Sequence, residues 1–274
     1  MRVLHVHTVA YIPEFLVSQL KKKGVEAEFA EEVKPGQVKN YDIIHGHYAL
    51  NRHTIKAFRE ARRFEIPFIL HCHGSDVRRL AGTGRKKLPI HYNFISNYMR
   101  KRSAKILLAT PDLLGFAPGG EYLPNPVNLD VFRPMPEVEK SSKVLIIGKQ
   151  IKGSKLPEFI EPGREYDCVN TGYQFDFPKN VRVLPYVKRD QFPRFLNQYK
   201  DMIGAIGDVI SMARLEAMAC GLKTFTDFEQ AFSKYYDGQN PDKVENPRNF
   251  IERFHKPDIA VKKLIEVYEA LSRS

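Results

Sequence analysis

DMIGAIGDVISMARLEAMACGLKTFTDF, residues 201–228, reads as strand, sharp turn, helix and strand. Met202, Ile203, Ala205 and Ile206 form the short apolar run expected of a strand covered on both faces. Gly207-Asp208 is a turn signal. Ser211 is placed to cap a helix that carries Leu215, Met218 and Ala219 and stops at Gly221, and Leu222 to Phe228 returns to strand character. In a unit of this kind the helix N-terminus lies at the carboxyl edge of a parallel sheet and offers free backbone N–H groups to an anion. Asp208 falls in the turn, and Glu216 follows eight residues later, about two helical turns on, so both carboxylates can face one crevice. Two carboxylates around an anion-binding helix start suit a ligand with a phosphate in the middle and hydroxyl-rich sugars on either side.

Upstream, the same alternation repeats. Strands are expected at Arg2–His7, Val25–Phe29, Tyr41–His47, Pro67–His73 and Ala104–Pro111, with helices at Ile12–Lys23 and Arg52–Phe64. Strands alternating with helices predict a parallel sheet with helices on both faces, and ligands then gather at the carboxyl ends of the strands. His45, His47, His71, His73, Ser75 and Asp76 fall at such ends. The polar stretch Pro136–Ser142 predicts a domain boundary, and Lys143–Gly148 opens a second sheet that continues through Tyr166–Thr171 and Val181–Pro185, with a helix at Asp190–Gln198. The division expected is therefore 1–136, 137–255, and a terminal amphipathic helix within 256–274 that folds back on the first domain.

The bulk composition narrows the class. A chain of 274 residues with 43% apolar residues can bury one large core or two smaller ones. Lys+Arg 43 against Asp+Glu 32 gives a net charge of +11, partly in the runs Lys21–Lys23, Arg85–Lys87 and Arg100–Arg102. The first run suits a helix C-terminus. The others suit either a solvated face or attraction to an anionic acceptor or membrane surface. No nucleic-acid recognition module accompanies the charge, so no nucleic-acid partner is expected. Cys72, Cys168 and Cys220 are odd in number and widely spaced, which predicts no disulfide framework and a cytoplasmic setting, compatible with attachment to the inner face of a membrane. The opening MRVLHVHT has no long apolar segment and predicts no signal peptide.

The segment Asp208 to Glu216 resembles the E-x7-E element of GT-B glycosyltransferases, and LEAMACGL (Leu215–Leu222) resembles the retaining family 4 group in particular. HGSDV (His73–Val77) and YLPNPVNLDVFRP (Tyr122–Pro134), with Asn125, Pro126, Val127, Phe132 and Pro134 matching, are similar to further segments of that family. The resemblance implies a GT-B fold: α/β, two Rossmann-like doubly wound parallel-sheet domains facing a cleft. It implies a glycosyltransferase of the hexosyltransferase type that moves a sugar, with retention, from a nucleotide-diphosphate donor to an acceptor hydroxyl. UDP donors are favoured over GDP donors by family habit. On this resemblance Asp208 touches the donor sugar, Glu216 the ribose, and His73 the reacting centre. Lys149 and Lys152, with Lys155 in reserve, and the helix start at Ser211 and Met212 neutralise the diphosphate, and the loop around Tyr186 cradles the base. His7, His47, Ser75, Asp76 and Asn125 fall to the acceptor or the cleft. Three departures stand out. The first acid is Asp rather than Glu, Asn128 replaces the usual Asp, and the first loop, Thr8–Pro13, has no glycine, so His7 and Thr8 take its place.

Other readings remain open beside this one. A nucleotide-sugar epimerase on the same fold and a degenerate sugar-nucleotide binding module both fit the motifs. His45, His47, His71 and His73 can also be read as a metal site, since alternate residues share one side of a strand. No carboxylate-rich ligand spacing repeats, and the cations already supply the charge neutralisation, so neither a metal nor another cofactor is expected.

Overall fold

The structure is a computed structural model, and it describes residues 1–78, 90–147, 156–169, 177–204, 210–225 and 230–273. The chain divides into two compact units, one of Met1–Pro126 with Pro257–Ser274 and one of Val127–Lys256. The division thus precedes the polar Pro136–Ser142 stretch.

The first unit holds β1 (Arg2–Val6), β2 (Glu26–Ala30), β3 (Ile43–His47), β4 (Phe68–Cys72), β5 (Lys105–Leu108) and β6 (Glu121–Tyr122) in one parallel sheet of order β2-β1-β3-β4-β5-β6. Its helices are α1 (Ile12–Lys22), α2 (Arg52–Arg63), α3 (Ser75–Arg78) and α4 (Ile90–Arg102), joined by the terminal α8 (Pro257–Ser272). Asn51 caps α2 by accepting from His53 N, and Lys21 and Lys22 lie in the last turn of α1, where cations oppose the helix dipole.

Successive strand residues face opposite sides of the sheet. Leu4, Val6, Ile44, Phe68, Leu70 and Cys72 belong to one apolar core with Ala57, Phe58 and Ala61 of α2. Each fully buried aliphatic side chain there contributes roughly 1.5–3 kcal/mol. Gly46 belongs to this face as well, because a Cβ at that position would lie 2.3 Å from Phe68 Cζ. The alternate positions carry imidazoles. In register, His5 is paired with His45, and His47 with His71.

The second unit holds β7 (Val144–Ile146), β8 (Tyr166–Val169), β9 (Val181–Leu184), β10 (Asp201–Ile203) and β11 (Lys223–Phe225), a parallel sheet of order β11-β10-β7-β8-β9. Its helices are α5 (Phe192–Leu196), α6 (Met212–Ala219) and α7 (Pro247–Phe254). The strand order reverses between β7 and β10, and the reversal point of a doubly wound sheet is where ligands bind. Among the described residues no helix is long and apolar enough to cross a membrane.

Candidate functional site

In the first unit three strand ends turn through left-handed backbone. His7 follows β1 with φ 72, Tyr48 follows β3 with φ 65, and Gly74 follows β4 with φ 123. The glycine-free first loop adds Ala10 at φ 51 and Tyr11 at φ 62. It therefore keeps a conformation that glycine adopts freely, at a cost of roughly 1–2 kcal/mol per non-glycine residue. Strain of this kind concentrates where a chain must present groups to a ligand. His7 Nδ1 lies 2.6 Å from Glu31 Oε1, and Thr8 N donates to Glu31 Oε2 at 3.0 Å.

Asp76 holds the loops together. Its Oδ1 accepts from His73 N at 3.1 Å and Gly74 N at 2.9 Å, and its Oδ2 accepts from Ala49 N at 3.0 Å. Burial raises its pKa against these backbone N–H bonds. Gly74 is required beside it, since a Cβ would lie 2.2 Å from Arg78 Nη1, whose guanidinium is anchored on Asp112. Asn125 is buried just before the boundary between the units.

Beneath this rim runs a relay of imidazoles. His73 Nε2 is 3.0 Å from His47 Nδ1, His47 Nε2 is 3.0 Å from His5 Nδ1, and His5 Nε2 is 3.0 Å from Tyr268 Oη. Tyr268, from α8, also lies 2.7 Å from His45 Nδ1. His5, His45, His47 and His71 are buried, and His73 is partly exposed. Burial depresses the pKa of all five imidazoles: to about 3 for His5 and His73, and well below 6.5 for His45, His47 and His71, where the neighbouring imidazoles add to the effect. The rings are therefore neutral, one N–H and one lone pair each, and the relay can be satisfied only when all its hydrogens point one way along it. His71 stands outside the relay. Its ring centroid is 4.3 Å from that of His73 and 5.1 Å from that of His47, yet among the described residues neither of its nitrogens has a hydrogen-bond partner, nor does His45 Nε2. An orphaned buried polar group costs about 1–3 kcal/mol.

In the second unit α6 begins as expected. Ser211 is its N-cap, accepting from Arg214 N at 3.3 Å, and Met212 is its first residue. Glu216 is 2% exposed. Arg189 grips it with both terminal nitrogens, Nη1 donating to Oε2 at 2.7 Å and Nη2 to Oε1. The Arg189 guanidinium also lies 4.7 Å from the centroid of the Phe132 ring. Burial raises the Glu216 pKa, and Arg189 opposes the rise. Tyr186, beyond β9, is 74% exposed and lines an open concavity with Val187, Asp190 and Arg194. Lys149, Lys152, Lys155 and Asp208 lie outside the described residues.

Neither a family model nor a curated protein sequence matches the chain. Solved structures do. Sucrose-phosphate synthase from Thermosynechococcus elongatus superposes with a TM-score of 0.73 at 10% identity, covering 99% of each chain. AviGT4, a glycosyltransferase involved in avilamycin A biosynthesis, gives 0.63 at 12% identity, covering 100% of this chain and 98% of its own. UDP-GlcNAc 2-epimerase from Methanocaldococcus jannaschii gives 0.52 at 8% identity, covering 97% and 99%. The chain has the GT-B fold. At these identities the likeness carries the architecture, and the same architecture serves both glycosyl transfer and epimerisation among these neighbours.

Several residues that shape these sites escape a reading of motifs. Arg189 follows Lys188 in a turn with no motif around it, and only the fold brings it to Glu216. His5 looks like an ordinary strand residue until the register pairs it with His45. Tyr268 lies 263 positions from the histidine it bonds. Its signal is only an aromatic residue on the apolar stripe of a terminal helix.

Proposed function

We propose that the protein is a retaining glycosyltransferase that moves a sugar from a nucleotide-diphosphate donor, UDP ahead of GDP, to an acceptor hydroxyl. The observation that carries this reading is the start of α6: a serine-capped helix N-terminus at the end of a parallel strand, with a buried carboxylate, Glu216, two turns in and fixed by Arg189. In this reading the backbone N–H groups at Ser211 and Met212, with Lys149 and Lys152, hold the diphosphate. Negative charge grows on that group as the glycosidic bond breaks, and fixed cations and a helix N-terminus stabilise it. Glu216 accepts from the ribose hydroxyls, since each of its oxygens retains a lone pair beyond those used by Arg189. Asp208 binds the donor sugar, and Tyr186 borders the base. His73 offers Nδ1 to a sugar hydroxyl at the reacting centre, while Asp76 and Ser75 shape its loop. His7 and Asn125 serve the acceptor side, and His47, buried with both ring nitrogens engaged, supports His73 from behind. Transfer itself is assigned to no metal.

The test is release of nucleoside diphosphate from a panel of UDP- and GDP-sugars, with Glu216→Ala and Lys149→Ala beside the wild type. We expect slow release from one donor and a loss of about tenfold or more in each variant, as when a charge-assisted hydrogen bond worth roughly 1.5–3 kcal/mol is removed. Release should persist in excess EDTA. No release from any donor, together with no thermal stabilisation by UDP or GDP, would sink the reading in favour of a binding module. The likeness to the 2-epimerase supports a second reading, and donor altered without any acceptor would select it.

A further inference from the structure

We infer that His47, His71 and His73 form a site for one divalent transition-metal ion of the zinc class. One nitrogen from each of these residues lies within 4.8 Å of the others. Three observations carry the assignment. First, His71 is 1% exposed and neither of its ring nitrogens has a partner among the described residues. A buried group without a partner calls for an ion or a water, and a lone pair flanked by two further imidazoles suits an ion.

Second, the relay behind His47 supplies what a metal-ligating histidine needs. With His47 Nδ1 given to the ion, His47 Nε2–H donates to His5 Nδ1, His5 Nε2–H donates to Tyr268 Oη, and Tyr268 donates to His45 Nδ1. The hydrogens of His47, His5 and Tyr268 each find an acceptor, His45 keeps its own on Nε2, and the tautomer of His47 is set with its lone pair forward. Third, His73 is the partly exposed member of the set, so it provides an entry path. It faces His47 through Nε2, which leaves Nδ1 for a ligand outside, and the ion and the sugar-facing role do not compete. The second histidine group, His5, His45 and His47, is buried throughout and its members bond one another and Tyr268, so it fits the supporting shell better than the site. Three imidazoles with no carboxylate suit Zn²⁺, Co²⁺, Ni²⁺ or Cu²⁺ and discriminate against Mg²⁺ and Ca²⁺.

The experiment is a Co²⁺ titration of the untagged, chelator-stripped full chain, followed by visible d–d absorption. We expect saturation at one equivalent, displacement of Co²⁺ by Zn²⁺, a rise in Tm with Zn²⁺, and no response to Mg²⁺ or Ca²⁺. His71→Leu should weaken Co²⁺ binding at least tenfold while the metal-free Tm is held or raised, because an orphaned polar ring is replaced by an apolar side chain. His73→Asn, at the open end of the set, should weaken binding in the same way, and it carries the test if the core variant does not fold. Absence of Co²⁺ binding by the wild type would overturn the inference. So would binding of wild-type strength in both variants, which would place the ion on other histidines.

Discussion

Acidifying the chelator-treated protein from pH 7.5 to pH 5.5 is expected to remove most of the stability of the unit formed by Met1–Pro126 and Pro257–Ser274. Burial lowers the pKa of His5 and His73 to about 3, and pushes His45, His47 and His71 in the same direction. An unfolded histidine takes up its proton near pH 6.5. Between pH 6.5 and about 3 the unfolded chain therefore binds more protons than the folded one, and stability falls as pH falls. The contribution is fully present above pH 6.5. One unit below, each such imidazole costs about 1.4 kcal/mol, and five acting together cost roughly 7 kcal/mol, comparable to the whole stability of a typical domain. Urea midpoints measured across this range should fall steeply, and His71→Asn should reduce the slope by about one proton. A midpoint that stays level from pH 7.5 to pH 5 would mean that the imidazoles are not buried together as described.

Replacing Arg214 by methionine is expected to destabilise the Val127–Lys256 unit by about 3–5 kcal/mol, the range for breaking a buried pair from one side. Arg214 is 0% exposed in the first turn of α6. Its Nε donates to Thr224 Oγ1 at 2.9 Å on β11, and its Nη2 pairs with Asp242. Burial lowers its pKa to about 10, with Asp242 and then Tyr236 opposing the shift. The methionine variant leaves Asp242 and Thr224 without that partner. The double variant Arg214→Met, Asp242→Leu should recover much of the loss, because an apolar pair of similar volume avoids desolvating two charges. Thermal melts of the three variants decide the matter. A single variant as stable as the wild type would show that the guanidinium does not bind α6 to its sheet. Since α6 also carries Ser211 and Glu216, the same variant should weaken nucleotide binding.

The parallel α/β architecture was legible because its elements are locally consistent. Short apolar runs alternate with amphipathic segments, and Ser211 caps α6 as a serine before an apolar helix does. The placement of Glu216 two turns inside that helix also follows from spacing alone. Its bond to Arg189 does not, because a charge partner from a loop after another strand has no local signature. The same limit applied at the first loop. The loop has no glycine to signal positive φ, yet His7, Ala10 and Tyr11 adopt left-handed conformations.

The histidines show the division most sharply. By itself the sequence determined that His45 and His47, and His71 and His73, lie on alternate positions near strand ends, because strand periodicity is a local property. Only the tertiary structure decided that β1, β3 and β4 are neighbours in register, that His5 joins them, and that Tyr268 of α8 closes the relay. Strand order and helix docking are set by burying apolar faces across long stretches of chain, and that choice places one sheet face of imidazoles out of water.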